Sequence, residues 1–376
     1  MAVYILSNRK IVRHPGERLD SFSNDEYSIP NFRIAKCSFE DYKEPTEAAR
    51  KKKDYTNRNI LNYRLFSEPE KQGYQEVLDV LLNEKGIKHS SLTSDHLGGT
   101  QRMFYELYKD MSSVKDRSDV MIFIHGYAYD FDDELKAIID LKKIFIDNAK
   151  SPVEHILFIS WPASGSIVPL TYFDDKASSI NSGTSLMRLF YFYTQFLKDI
   201  FSNRDLAPCN QRIHLMAHSM GNRVLQSMLY SLKSENILRV IDQVLLLNSD
   251  VSYKVFEDSE DSFNKLPLLA NRISIYLNRK DVILGISQFT KNILTPRLGK
   301  NGPGNIDRFK DIVSVIDCTF VEDDILDTFK FEVGNHWGYL SSSMVQNDIF
   351  QNLYGIDRNL ITNRIKNNEN TFTITY

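Results

Sequence analysis

The feature that most constrains the fold is a regular alternation that begins near Val120. From there, short apolar runs bounded by turn residues alternate with amphipathic stretches of ten or more residues. Runs that are apolar throughout are typical of strands buried on both faces, and amphipathic stretches between them are typical of crossover helices. The sequence therefore predicts an α/β fold with a mostly parallel, doubly wound sheet. Its predicted strands are Val120–Ile124, Ile156–Trp161, Arg212–Ala217, Gln243–Leu247, Arg272–Leu277 and Ile312–Ile316.

The same alternation sets the expected domain organisation. We expect a core over residues 118–356, an N-terminal extension over residues 1–117 that packs on this core, and a polar C-terminal tail over residues 357–376. The extension carries strand-like stretches, and its role is left open. The predicted helices of the core are Asp132–Ile146, Ala177–Phe201, Gly221–Lys233, Tyr253–Lys265, Asp281–Lys291 and Tyr339–Leu353.

Composition narrows the expected partners and compartment. The 46 basic and 49 acidic residues give a net charge of −3, so nothing in the composition calls for nucleic acid as a partner, and no protein partner is indicated. Three widely spaced cysteines, Cys37, Cys209 and Cys318, are typical of a reducing compartment. The apolar run Ala2–Leu6 is too short for a signal sequence or a membrane span. We therefore expect a cytoplasmic protein without stable membrane insertion.

The segment Arg212–Asn222 carries the strongest chemical signal. A predicted strand ends there at Ala217-His-Ser219-Met-Gly221, and a predicted helix follows. This is the nucleophile-elbow pattern, in which a tight strand-to-helix turn projects a serine hydroxyl and small residues two positions away provide the room. Ala217 replaces the usual first glycine but keeps the volume small. Ser219 is therefore the candidate nucleophile, and the alternative is a serine that only caps the helix.

A loop after the first predicted core strand is the candidate oxyanion loop. His125, Gly126 and Tyr127 follow that strand, where an α/β hydrolase places the amide that stabilises the tetrahedral intermediate. Gly126 would let the backbone turn so that the N–H of Tyr127 faces the developing oxyanion. The second predicted donor is the N–H of Met220, at a helix N-terminus where amides lack partners and the helix dipole favours negative charge. An ordinary strand-to-loop turn is the alternative.

An acid and then a histidine should follow the nucleophile in chain order. Asp281 follows the second predicted strand after the nucleophile strand, and His336 lies in a glycine-flanked loop before the last helix. Asp250 follows the intervening strand, and it is the alternative acid although topology favours Asp281. His218 is interpreted as elbow packing, because adjacent residues on a tight turn point in different directions. The predicted triad is therefore Ser219, Asp281 and His336.

Motifs for metals and nucleotides do not compete with this interpretation. The sequence contains no H-E-x-x-H, no G-x-x-x-x-G-K-[ST] and no G-x-G-x-x-G pattern. The acidic pairs Asp132-Asp133 and Asp174-Asp175 lack further ligands at a suitable spacing. The sequence therefore predicts neither a metal nor a cofactor.

Four segments occur together in one order: Phe123-Ile-His-Gly-Tyr127, Phe158-Ile-Ser-Trp-Pro-Ala-Ser-Gly165, Met216-Ala-His-Ser-Met-Gly-Asn-Arg-Val224 and Asn248-Ser-Asp-Val251. Together they resemble the bacterial α/β-hydrolase family of unknown function called DUF900, over about Val120 to Leu353. The resemblance implies the α/β-hydrolase fold and a serine-hydrolase apparatus.

The resemblance also implies a substrate pocket. Trp161 and Pro162 would edge an acyl pocket together with His125 and Gly126. Their alternative is purely structural, a strand-terminating proline and a large aromatic at the edge of the core.

The expected reaction is cleavage of an ester or related acyl bond in a small molecule or lipid. Ser219 would attack the acyl carbonyl, His336 would take its proton, and water would hydrolyse the acyl-enzyme. Two alternatives stay open. One is an acyltransferase with an acceptor other than water, and the other is a binding or signalling module that keeps the fold without the chemistry.

Overall fold

The structure of the chain is a computed structural model. The residues that it describes are 1–12, 21–26, 32–39, 61–66, 99–114, 117–166, 171–202, 210–233, 237–257, 262–291, 294–321 and 336–375.

A large sheet of eleven strands forms the centre of the described residues, in the order β12-β13-β11-β10-β9-β8-β6-β7-β1-β4-β5. Eight neighbouring strands, from β13 to β1, run parallel, and antiparallel strands flank them at both edges. The predicted mostly parallel sheet is therefore confirmed. Its strands are β1 Ala2–Ser7, β4 Arg33–Phe39, β5 Leu61–Leu65, β6 Asp119–Ile124, β7 Val153–Ser160, β8 Ile213–His218, β9 Ile241–Leu247, β10 Ala270–Leu277, β11 Val313–Asp317, β12 Arg364–Lys366 and β13 Thr371–Ile374, while β2 Arg9–Val12 and β3 Ser21–Glu26 form a separate ribbon.

The six predicted core strands are confirmed as β6 to β11. Each observed end lies within three residues of the predicted one. These strands are buried along almost their whole length, which is why apolar residues dominate their sequences without a strict alternation with polar ones. Parallel strands place their carboxyl ends at one edge of the sheet, and the loops that carry the candidate site follow those ends.

Helices cover both faces of the sheet. One hydrophobic cluster joins the sheet to α1, α3, α4 and α5, and a second cluster joins the opposite face to α2 and α9. None of the described helices combines the length and the apolar composition that a membrane span needs. The helices are α1 Gly99–Ser113, α2 Phe131–Leu141, α3 Thr171–Ser202, α4 Gly221–Ser231, α5 Leu266–Leu269, α6 Val282–Ile286, α7 Leu298–Asn301, α8 Gly338–Ser341 and α9 Ser343–Leu353, with π-helical turns at Lys142–Ile146 and Ser287–Lys291 and 3₁₀ turns at Ser262–Lys265 and Asp307–Phe309.

The predicted helix Tyr253–Lys265 is wrong over the part that the structure describes. Residues 253–257 form turns, residues 258–261 lie outside the described residues, and a 3₁₀ turn follows. The backbone of Tyr253 pairs with distant segments instead of its own helix, since its N–H donates to Pro296 O and its carbonyl accepts from Gly304 N. Long-range hydrogen bonds therefore replace the local ones that an amphipathic pattern predicts.

Both ends of the chain contribute strands to the central sheet. β1 lies between β7 and β4 and is buried throughout. Residues 357–376, expected to be a polar tail, contain β12 and β13, and β13 runs parallel to β11. In β13 Phe372 and Ile374 are buried while the alternate threonines are partly exposed. The structure thus differs from the expected tail, because a strand with one solvated face is half polar in sequence.

Candidate active site

The turn between β8 and α4 has the geometry of a nucleophile elbow. Ser219 has a φ of 51°, in the left-handed region that few residues other than glycine adopt. Its carbonyl accepts hydrogen bonds from Asn222 N at 3.2 Å and Asp250 N at 3.1 Å. A Cβ on Gly221 would lie 2.5 Å from the carbonyl oxygen of His125, so only glycine allows α4 to approach the loop after β6 this closely.

A buried aspartate and histidine pair lies at the same edge of the sheet. His336 Nδ1 is 2.6 Å from Asp281 Oδ2, and both side chains are buried. Asp281 Oδ2 also accepts from the side-chain amide of Asn248 at 2.8 Å, and Oδ1 accepts from Leu284 N at 2.8 Å. Three donors therefore fix the orientation of the carboxylate. Because the carboxylate accepts, Nδ1 of His336 carries a proton, which leaves Nε2 of the neutral ring as an acceptor.

His218 connects the elbow to the loop that carries His336. The two imidazole rings lie 4.7 Å apart between centroids, and His218 Nε2 donates to His336 O at 3.0 Å. Burial lowers the pKa of His218 well below its usual value, and His336 lowers it further. A neutral His218 therefore packs the elbow against the candidate base, in line with its predicted structural role.

Asp250 lies in a different environment from Asp281. Its carboxylate accepts from Arg297 Nε at 2.8 Å, Ser287 Oγ at 2.8 Å and Tyr172 OH at 2.7 Å. Burial raises the pKa of this carboxyl, but the nearby Arg297 guanidinium helps to keep it below its usual value. The structure therefore brings Asp281 to the candidate base, and it brings Asp250 to an arginine.

The loop after β6 packs directly on the elbow. A Cβ on Gly126 would lie 2.9 Å from Ser219 Cβ, so the glycine backbone approaches the serine closely. Tyr127 follows Gly126, and its ring packs edge-on against Tyr172 at 5.6 Å. Met220 is the N-cap residue of α4. Of the two predicted oxyanion residues, Met220 directly follows Ser219 in the chain, and Tyr127 directly follows Gly126, which packs on Ser219. The role of their N–H groups stays a prediction.

Trp161 and Pro162, which were predicted to edge a substrate pocket, are buried, and Trp161 packs against the loop after β6. Trp161 and His125 are fully buried, and their rings stack at 5.0 Å with an interplanar angle of 5°. The indole Nε1 of Trp161 also donates to His125 O at 2.9 Å, and Pro162 is buried. These contacts favour the structural alternative for Trp161 and Pro162 over a position at the edge of an acyl pocket.

Asn248 is a site residue that sequence reasoning did not identify. It has a φ of 42° directly after β9, and its amide binds the carboxylate of Asp281. Asparagine is among the few non-glycine residues that adopt this backbone region readily, so an asparagine directly after a buried strand was the available signal. The described residues contain no group of three or more His, Cys, Asp or Glu side chains that could hold a metal ion.

Comparison with known proteins identifies a family. The family described as "Alpha/beta hydrolase of unknown function (DUF900)" matches residues 103–347, which is well over half of the chain. A solved structure, described as that of a cell surface hydrolase from Lactobacillus plantarum WCFS1, aligns over 56% of this chain and 86% of its own, with 12% identity and a TM-score of 0.26. No curated protein matches the chain.

Proposed function

This chain belongs to the DUF900 family of alpha/beta hydrolases, and we propose that it is a serine hydrolase that cleaves an ester or related acyl bond. Ser219 is the proposed nucleophile, His336 the general base and Asp281 the orienting acid. The observation that carries the proposal is the 2.6 Å contact between His336 and Asp281, at the sheet edge where the elbow presents Ser219. These three groups have the roles of a Ser-His-Asp triad.

The proposed reaction begins at the serine hydroxyl. Nε2 of His336 takes the proton from Ser219 Oγ as the oxygen attacks the acyl carbonyl, and Asp281 stabilises the imidazolium that forms. The proton then passes to the leaving alcohol, and the acyl group stays on the serine. Water, deprotonated by the same imidazole, attacks the carbonyl of this acyl-enzyme. The bond to Ser219 Oγ then breaks, the imidazolium returns its proton to Oγ, and the acid is released.

The tetrahedral intermediate needs donors for its oxyanion. We assign this role to the backbone N–H groups of Tyr127 and Met220. Met220 lies at the N-terminus of α4, where the helix dipole favours negative charge. Each donor of this kind is worth about 10² to 10³ in kcat.

The proposed substrate is an ester or related acyl compound of a small molecule or lipid. A cytoplasmic setting is also proposed, because the two cysteines among the described residues, Cys37 and Cys318, are buried free thiols. The length of acyl chain that the site prefers can be measured directly from the turnover of p-nitrophenyl esters of increasing chain length.

Labelling with a fluorophosphonate tests the nucleophile. We expect wild-type protein to be labelled at Ser219 and Ser219→Ala to lose the label. The kcat for ester hydrolysis should also fall in this variant, by on the order of 10⁶. Ser249→Ala is the matched control, because Ser249 is a buried serine two residues beyond the end of β9, close to the elbow. It should keep the label. A folded Ser219→Ala variant that still turns over ester would contradict the proposal.

A further inference from the structure

A buried arginine from the N-terminal segment reaches the loops of the candidate site. Arg9 follows β1, which runs parallel to β7 with Ser7 opposite Ser160. The chain therefore leaves β1 at the edge of the sheet where β7 ends and the site lies. The guanidinium of Arg9 is 0% exposed. Arg9 also lies outside residues 103–347, the part of the chain that matches the family.

The guanidinium joins two loops that follow adjacent strands. Its Nη2 donates to Tyr129 O at 2.8 Å, in the loop after β6, and its Nη1 lies 3.3 Å from Ala163 O, in the loop after β7. Nε and Nη2 both donate to Glu134 Oε1, at 3.0 and 2.6 Å. Arg9 therefore ties the oxyanion loop, the loop of Trp161 and helix α2 to one fixed point.

Glu134 passes this restraint to His125. Glu134 Oε1 lies 2.8 Å from His125 Nε2, and both side chains are 0% exposed. Trp161 N also lies 3.1 Å from this nitrogen. A carboxylate only accepts, so Nε2 donates to Glu134, and the contact is an ion pair with a His125 ring that is protonated on both nitrogens. Burial raises the pKa of Glu134, but Arg9 and His125 outweigh it and hold the pKa below its usual value. Glu134 is therefore a carboxylate at neutral pH, and the arginine is the main reason that its charge is stable there.

His125 in turn sets the orientation of the oxyanion peptide. His125 Nδ1 lies 2.8 Å from Gly126 O, and it must donate because a carbonyl only accepts. The peptide bond to Tyr127 is planar and trans, so its C=O and N–H point in opposite directions. The hydrogen bond from His125 therefore directs the Tyr127 N–H away from the imidazole. Gly126 itself packs on Ser219.

Stability alone does not account for this arrangement. A buried ion pair is often no more stabilising than well-packed apolar side chains of the same volume. Its geometric effect is specific, because the fork of an arginine fixes several acceptors at once.

We propose that Arg9 is a positioning residue for the oxyanion hole, and that it acts through Glu134 and His125. Its effect is to hold the Gly126–Tyr127 peptide in the orientation that the transition state needs. This inference rests on the proposed serine-hydrolase function. It makes the N-terminal segment part of the catalytic apparatus, although that segment lies outside the family match.

The test compares a double variant with wild-type protein, with p-nitrophenyl butyrate as the probe. Arg9→Met alone leaves Glu134 as an unpaired buried charge and risks unfolding, so Arg9→Met/Glu134→Leu removes both charges. We expect kcat to fall by about 10² or more while KM changes less than about threefold, because the oxyanion hole acts in the transition state. The preference for the ester over its thionoester should also fall, since sulfur is a weaker hydrogen-bond acceptor than oxygen.

A matched control separates positioning from general stability. Arg364 and Asp348 form another arginine–carboxylate pair, with side chains 1% and 0% exposed, and Arg364 lies on β12, six strands from β6. Arg364→Met/Asp348→Leu should lower thermal stability without changing kcat or the thionoester ratio by more than about twofold.

Three outcomes decide the inference. Wild-type kcat in a folded Arg9→Met/Glu134→Leu variant would overturn it, and so would an equal loss in the control at equal destabilisation. If wild-type protein neither hydrolyses the ester nor reacts with a fluorophosphonate, the proposed function fails and the inference fails with it. The first two outcomes, obtained with wild-type protein that is labelled and active, overturn the inference and leave the proposed function intact.

Discussion

Two buried aspartates near the elbow, Asp281 and Asp250, have different hydrogen-bond partners, and this difference predicts different roles. Asp281 accepts from an imidazole, an amide and a backbone N–H, so its charge is directed at a group that can gain a proton. Asp250 accepts from a guanidinium and two hydroxyls, so its charge is already balanced by Arg297. Both follow strands of the parallel sheet, Asp250 one strand earlier than Asp281, and their partners in the folded chain separate them further.

This difference predicts separate effects of the two substitutions. Asp281→Asn should cost about 10⁴ in kcat, because the amide favours the wrong tautomer of His336. Asp250→Asn should keep kcat in the folded fraction but lower the free energy of unfolding by about 3 kcal/mol or more, because Arg297 loses its counter-charge. The measurements are steady-state kinetics and urea unfolding of both variants. A large loss of kcat in Asp250→Asn with near wild-type Asp281→Asn would move the acid to the earlier strand.

The sequence predicted the catalytic candidates but not their support. Ser219, Asp281 and His336 could be found because each occupies a position that a buried strand and a chain order define. The link from Arg9 to Glu134 spans 125 residues, and no local pattern encodes it. His125 was placed in a substrate pocket for the same reason, since its partners become visible only in the folded chain.

At the scale of elements, a four-residue helix joins the loop that carries the proposed acid, Asp281, to the loop that carries Asp250. Helix α7 begins at Leu298, whose N–H donates to Val251 O, and Gly299 N donates to Ser249 O at 3.0 Å. Gly299 O accepts from Asn278 N at 2.9 Å, in the loop after β10. This short helix therefore ties the loop after β9 to the loop after β10, and it was not predicted because four residues carry no helical periodicity.

Gly299→Ala should separate these loops. A Cβ at this position would overlap the backbone of Asn248 and Ser249, which cannot move as a side chain can. Asn248 should then shift away from Asp281, and a displacement of about 1 Å in a catalytic group costs about 10² in rate. We expect kcat for p-nitrophenyl butyrate to fall accordingly.

Gly285→Ala provides the control, because its Cβ would meet only the end of the Lys300 side chain, with Nζ at 3.7 Å and Cε at 3.8 Å, which are ordinary contact distances. Gly285 lies within α6, where alanine is the better helix former, so the control should match or exceed wild-type stability with unchanged kcat. Full activity of a folded Gly299→Ala variant would show that α7 does not position the acid.

At the scale of the whole molecule, the sheet extends beyond the part of the chain that matches the family. β1, which precedes the matched residues in the sequence, pairs in parallel with β7. β13, which follows them, pairs in parallel with β11. Sequence patterns predicted the six strands of the core because those strands are rich in Ile, Val, Leu and Phe and are buried along most of their length. They did not predict β12 and β13, which are short, half polar and stabilised by contacts with distant elements.

A chain that ends at residue 356 should therefore not fold stably, although the sequence places the core boundary there. The deletion removes the buried side chains of Ile361, Phe372 and Ile374, each worth about 1.5 to 3 kcal/mol. It also removes Arg364 and leaves Asp348 as a buried carboxylate without its cationic partner, which costs about 3 to 5 kcal/mol. Together these losses approach the total stability of about 5 to 15 kcal/mol that is usual for a folded protein.

Soluble yield and thermal unfolding of residues 1–356 measure the effect. A chain that lacks only residues 375–376, beyond the end of β13, is the control and should melt like the full chain. If residues 1–356 also melt within a few degrees of the full chain, the last two strands are dispensable and residues 357–376 behave as the tail that the sequence suggests.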